Sequence, residues 1–281
     1  MKTLVLLIAT ALAGFAQPAF EVKVTGHGAP MILIPGLASS GETWDSTVAH
    51  YKDHYECHVF TMAGFAGVPR IPAPLLDHYR DAVAAYIREK GLNKPVIVGH
   101  SLGGFVALAI GEKYPDLPGK LIIVDADPFL AGIMDPTATP EKAKETGEQM
   151  RGYMSKQSQS DYERYVKSGM STRAMVTKDS DLDKLIAWSL ASDRTAVTDA
   201  FAEMMAADLR PDLDKIHCPT LVMVTWIGYK EYTDHAKTDA NVRAQYATLK
   251  GVDIEITDTS RHFIMWDDPD WMFAKMDKFL Q

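Results

Sequence analysis

The segment Gly99-His100-Ser101-Leu102-Gly103 carries the strongest chemical signal in the chain. It follows the apolar run Val96-Ile97-Val98 and opens a helix-like stretch, Leu102–Lys113. In that strand-turn-helix setting a G-x-S-x-G pentapeptide forms a nucleophile elbow. The flanking glycines permit a tight, strained turn that lifts the serine hydroxyl clear of a sheet. N–H groups at the start of the following helix then point at negative charge developing on a substrate oxygen. A bare G-x-S-x-G is often an ordinary turn; the strand before it and the helix after it give this one its chemical meaning. Ser101 is therefore the candidate nucleophile for attack on an acyl carbon.

Such a serine needs an oxyanion site and a base. The run Ile32-Leu33-Ile34 ends in Pro35-Gly36-Leu37 and enters a polar turn, Ala38-Ser39-Ser40-Gly41. One oxyanion donor is expected from the backbone N–H just after the nucleophile, Leu102, and a second from this earlier loop, where Leu37 is the candidate. Taken alone, Pro-Gly marks only the end of a strand. The base is expected at His262, in Thr257-Asp258-Thr259-Ser260-Arg261-His262-Phe263, because a loop just beyond a neighbouring strand's carboxyl end can reach the serine. Of the nine histidines only this one has that place. His27, His50, His54, His58, His78, His217 and His235 read as surface or strand-end residues, and His100 as a filler of the elbow.

The elements that must position these residues alternate along the chain. After a strand-like Phe20–Val24, apolar β-rich runs occur at Met31–Ile34, His58–Met62, Val96–Val98, Leu121–Val124, Leu221–Val224 and Ile254–Thr257. Helical patterns fall at Leu75–Lys90, Leu102–Lys113, Thr238–Leu249 and Pro269–Leu280. Near-continuous apolar strands separated by helices predict a parallel sheet covered on both faces. The alternation stops after Asp127-Pro128, and Glu141–Ser155, Ser160–Lys167, Asp181–Leu190 and Thr195–Ala207 all read as helices. A helical block between two strands of such a sheet predicts a lid over the strands' carboxyl ends. Its methionines, among them Met150, Met154, Met170, Met175, Met204 and Met205, suit either a pliable apolar pocket or plain core. Trp44, Phe65, Trp188 and Trp226 have the same two readings.

At 281 residues, 47% apolar, the chain can bury a large core without metals or disulfides. Its net charge of −8 and lack of a Lys/Arg run exclude the basic face a nucleic-acid binder needs. Lys2, the apolar Leu4–Ala13 and the small residues of Gly14-Phe15-Ala16 form a short secretory signal, so export to the periplasm or medium is expected. The segment is too short to span a bilayer, so no stable membrane anchor is expected.

With these motifs in order, the sequence from Phe20 to its end resembles the α/β-hydrolase superfamily, in particular its lid-bearing esterase-like members. The resemblance rests on Pro35-Gly36-Leu37, on Gly99–Gly103 and on the tail from Arg261-His262-Phe263 to Asp268-Pro269. It implies a mostly parallel eight-stranded sheet in the order 1-2-4-3-5-6-7-8, helices on both faces, a lid inserted after strand six, and a Ser-acid-His triad. The implied organisation is a signal at 1–19, core at 20–128, lid at 129–217 and core again at 218–281. In that sheet Cys57 and Cys218 stand about four strands apart, roughly 19 Å against a disulfide limit of about 7 Å, so they stay unpaired.

Two positions depart from the family. Many members carry His-Gly where this chain has Pro35-Gly36, which a backbone donor tolerates. More important, the acid of most members follows strand seven, and here that turn, Thr225-Trp226-Ile227-Gly228-Tyr229-Lys230, has no carboxylate. Some members supply the acid after strand six, where this chain reads Asp125-Ala126-Asp127-Pro128. Asp125, at the strand end, is the candidate; Asp127, Glu231 and Asp234 are its rivals, and an Asp here can also simply cap a turn. The acid fixes the histidine tautomer and stabilises the imidazolium.

The resemblance implies a serine hydrolase acting on a small, largely apolar ester-like substrate, with no metal or organic cofactor. Lactonase, thioesterase, amidase, carbon–carbon hydrolase or lyase chemistry fits the same residues. A hydrolase-like binding protein would suit a missing acid, although a pure binder has no need of both Ser101 and His262.

Overall fold

A computed structural model describes residues 17–135 and 137–281. The signal-like segment, up to Ala16, lies outside the described residues. In chain order the elements are β1 (Phe20–Gly26), β2 (Ala29–Ile34), α1 (Asp45–Tyr51), β3 (Tyr55–Met62), α2 (Leu75–Glu89), β4 (Val96–His100), α3 (Leu102–Lys113) and β5 (Lys120–Val124). Five helices follow: α4 (Leu130–Met134), α5 (Pro140–Lys156), α6 (Gln159–Lys167), α7 (Asp179–Ala191) and α8 (Arg194–Ala206). The chain then returns to the sheet with β6 (Thr220–Thr225), α9 (His235–Gln245), β7 (Val252–Thr257), α10 (Ile264–Asp267) and α11 (Pro269–Leu280).

The strands form one sheet in the order β1-β3-β2-β4-β5-β6-β7. β1 runs antiparallel to β3 and every other pair is parallel. This corrects the expected count: among the described residues there are seven strands, not eight, and their order is the family's with its first strand removed. Every residue of β4 and β6 is buried, which is why those strands read as continuous apolar runs. One face is covered by α2 and α3 with Val242 of α9 and Tyr246 just beyond it, the other by α1, α10 and α11 through Tyr51, Met265, Met272 and Met276. α3 is buried from Leu102 to Gly111, as befits a helix that is apolar all round.

Helix α5 packs on α8 so closely that a Cβ on Gly147 would stand 2.7 Å from the Ala202 carbonyl oxygen. α8 in turn reaches the sheet domain through Glu203, which accepts hydrogen bonds from Leu75 N (2.8 Å) and Leu76 N (2.9 Å) at the open start of α2. Three short helices, α1, α4 and α10, were not expected, since each is too brief to show a helical period. α9 begins at His235, three residues before the expected start, because Asp234 caps it by accepting from Lys237 N at 2.9 Å. Cys57 is buried and Cys218 half-buried, both as free thiols.

Candidate active site

β4 delivers Ser101 into a turn at φ 52°, ψ −121°, as the residue before α3. A positive φ is costly for a side-chain-bearing residue, and here close packing enforces it. A Cβ on Gly99 would lie 2.2 Å from Gly103 O, and one on Gly103 2.2 Å from Ile34 O. The glycines on either side of the serine are thus required by strand, turn and helix crossing at contact distance. Gly36 brings the earlier loop to the same point, since its Cβ would meet Ser101 Cβ at 3.2 Å. Leu37 follows on that loop, half-buried, and Leu102 is fully buried in the first turn of α3. The two expected oxyanion-site residues therefore flank the serine's surroundings from separate elements.

His262 lies between β7 and α10. Its Nδ1 stands 2.5 Å from Asp125 Oδ2, and both side chains are largely buried, at 16% and 12% exposure. Asp125 itself adopts φ 47° directly after β5. Its other oxygen, Oδ1, accepts from Thr225 N at 2.9 Å. The last residue of β6 thus supplies a backbone N–H that orients a carboxylate from the end of the neighbouring strand. The rivals are engaged elsewhere or remote: Asp234 caps α9, and Glu231 is exposed. Asp127 keeps a buried Oδ1 without a partner. Burial, and then the adjacent Asp125, push its carboxyl up to about 7. Ser101 Oγ has no hydrogen-bond partner among the described residues; nucleophile–base pairs are often long until substrate tightens them.

Two residues at this site escaped the sequence reading. His100 is fully buried, its Nε2 donates to the His262 carbonyl at 3.0 Å, and its ring centre lies 4.5 Å from that of His262. Burial, and then the neighbouring His262, hold its pKa well below the ordinary histidine value, so it stays neutral. His58, taken for a strand-end residue, is buried between Tyr86 and Glu56. Nothing in local sequence distinguishes a filler histidine from one bonded 162 positions away. Arg261 is the second residue missed; it ties the His262 loop to the helical block, with Nη1 donating to the Arg173 and Val176 carbonyls.

The aromatic and methionine candidates for a pocket divide. Trp44, Phe65, Met204 and Met205 are core, whereas Met170 is 75% exposed. Trp188 packs on Trp266 at 5.7 Å beside the His262 loop, and Trp226 donates to Asp258 at 2.7 Å. Among the described residues no group of three or more His, Cys, Asp or Glu side chains could hold a metal ion. No helix among them is long and apolar enough to cross a membrane.

A family model described as the alpha/beta hydrolase family matches residues 31–275. The chain belongs to the alpha/beta hydrolase family. Among curated members, an N-formylmaleamate deformylase of Pseudomonas putida is 26% identical over 92% of this chain and 91% of its own length. A pimeloyl-[acyl-carrier protein] methyl ester esterase of Vibrio atlanticus is 26% identical over 40% of this chain and 42% of its own length, so the chain spans less than half of that relative. Among solved structures, an enol-lactonase from Burkholderia xenovorans superposes with a TM-score of 0.74 at 16% identity, covering 93% of this chain and 96% of that one. The relatives of this alpha/beta hydrolase are thus hydrolases of the same fold.

Proposed function

We propose that the protein is a serine hydrolase that cleaves a carboxylic ester, or a related acyl bond, of a small and largely apolar substrate. The observation that carries this reading is the 2.5 Å contact between His262 Nδ1 and Asp125 Oδ2, in a loop packed against the elbow that presents Ser101. Asp125 holds the proton on Nδ1 and leaves Nε2 free as the base. Ser101 Oγ attacks the substrate carbonyl carbon as His262 Nε2 takes its proton. The N–H groups of Leu37 and Leu102 stabilise the oxyanion. Collapse expels the alcohol, which leaves with the proton from His262, and an acyl-enzyme remains on Ser101. Water, deprotonated by His262, attacks the acyl carbon, and the acid departs as the proton returns to Ser101. The helical block, 129–217, serves as a lid on this site, and the 1–19 segment as an export signal to the periplasm or medium. The net charge of −8 supports a small-molecule substrate over nucleic acid.

A second reading is hydrolysis of an N-acyl bond, supported by the deformylase that aligns over 92% of this chain. The same residues would serve, with an amine in place of the alcohol.

The test is turnover of short-chain p-nitrophenyl esters and of N-formyl amides, with and without a serine-directed phosphonate. We expect one phosphonate adduct, on the peptide that contains Ser101, and loss of turnover by about a million-fold in S101A and H262A. An adduct on Ser39 or Ser40, or substantial turnover by either variant, overturns the assignment.

A further inference from the structure

The loop that carries His262 is held from outside the sheet domain. Between α6 and α7 the helical block sends down the segment 173–177, and four hydrogen bonds join it to residues around the histidine. Arg261 Nη1 donates to Arg173 O at 2.8 Å and to Val176 O at 2.9 Å. Phe263 N donates to Met175 O at 3.2 Å. Thr177 N donates to Asp267 Oδ1 at 3.1 Å, and the other oxygen of Asp267 accepts from Arg261 N at 2.9 Å. The residues immediately before and after His262 are thus both bonded to the helical block, and one of them sets a single charged nitrogen, Nη1, on two main-chain carbonyls. Hydrogen bonds from a charged donor are among the stronger ones. A Cβ on Gly228 would stand 2.5 Å from Ala174 O, so the same segment also abuts the turn that follows Thr225, whose N–H holds Asp125.

Resting on the Ser101–His262–Asp125 reading, we propose that Arg261 is a positioning residue that makes the helical block set the place of the base. The block then controls more than access. When segment 173–177 is seated, Arg261 and Phe263 fix the backbone on both sides of His262 and the imidazole faces Ser101. When the segment lifts to admit or release a ligand, the same bonds break and the base loosens, so chemistry proceeds only with the block docked. Displacement of a reacting group by about an ångström costs on the order of 100-fold in rate.

The experiment compares wild type, R261A and R261K for kcat, KM and the rate of phosphonate inactivation, with Tm measured in parallel. In R261A kcat is expected to fall about 10- to 100-fold with KM changed by less than about threefold. Phosphonate inactivation should slow by the same factor. R261K, which keeps the charge on a shorter side chain whose nitrogen stops short of the Nη1 position, should fall between the two. The proposal is overturned if R261A keeps kcat within about twofold of wild type, or if its loss appears in KM instead of kcat. Should R261A fail to fold, R261K decides, and a wild-type kcat in that variant overturns the proposal. H262A separates the two levels: substantial turnover there sinks the triad reading itself, whereas an inert H262A beside a wild-type-like R261A sinks only the role given to Arg261.

Discussion

α3 and α5 are both regular helices, yet the molecule uses them in opposite ways. α3 is buried from Leu102 to Gly111, while the 17 residues of α5 bury only Ala143 and Gly147. Around α3 the fold is fixed by contact: glycines meet carbonyl oxygens at distances that leave no room for a methyl group. The block that contains α5 joins the core through Ala196, Ala200 and Met204 of α8, and adds polar ties that can be made and broken, such as Glu203 on the start of α2 and Arg261 on segment 173–177. A close-packed interior gives a serine a permanent geometry. Hydrogen bonds at a seam offer a geometry that can be released and regained. The candidate site stands where the two regimes meet, with Ser101 on the first and the His262 loop touching both.

The sharpest way to break this comparison is at the acid. Asp125 belongs to the close-packed region, bonded to Thr225 N and His262 Nδ1. D125N should fold normally and lose about four orders of magnitude in kcat, because an amide favours the wrong histidine tautomer. D234N and E231Q, which alter the cap of α9 and an exposed side chain, should change kcat by less than about twofold. Steady-state kinetics on all three decides; a large loss in D234N or E231Q with D125N unaffected would move the acid to the loop after β6.

A smaller effect sharpens the comparison through glycine. A methyl group on Gly103 would run into Ile34 O at 2.2 Å and Pro35 O at 2.6 Å, both main-chain atoms that cannot swing aside. G103A should cost about 2–4 kcal/mol in denaturant unfolding. Gly152, in α5, has nothing within 4 Å of the same position. G152A should stabilise by about 0.5–1 kcal/mol, since alanine is the better helix former and the unfolded chain loses freedom. Equal responses at the two sites would mean that the face of α5 carrying Gly152 is as close-packed as the core.

The same division explains what the sequence discloses. α3 and α11 have the bounds the helical pattern predicts, Leu102–Lys113 and Pro269–Leu280, and every apolar run assigned as a strand lies in the sheet. Packing against both faces imposes composition, so these elements are written in residue type. The elbow and the histidine loop are equally visible, because strain demands glycine and reach demands a strand end. Asp125 was legible only as one of several carboxylates, since the choice depends on Thr225 N, 100 positions away. His100 and Arg261 were invisible as partners of the His262 loop, because a main-chain carbonyl accepts hydrogen bonds without leaving any trace in residue type. The family's first strand, not found among the described residues, is a departure of another kind, because the expectation of eight came from the family and only seven runs were identified in the chain itself.

A further effect, tied to pH, lies at the far end of α3, where its apolar covering is breached. Glu112 keeps a buried Oε1 with no partner. Burial, and then the negative charge of Asp212, push its carboxyl up to about 8; Lys215 and Arg80 oppose the shift, and Asp208 adds to it. Because the folded-state value lies above the ordinary glutamate range, the folded protein holds this proton more tightly than the unfolded chain does. The resulting stability is fully present below about pH 4.5 and is lost progressively as the pH rises through about 8. Partial exposure screens the effect, so the loss should amount to about 1–2 kcal/mol. E112Q keeps the size and polarity of the side chain but cannot ionise, and its stability should not share that decline. Urea unfolding at pH 5 and pH 9 measures the difference: E112Q should gain on wild type at pH 9 relative to pH 5. An unchanged gap would mean that Glu112 is already ionised and solvated in the folded protein.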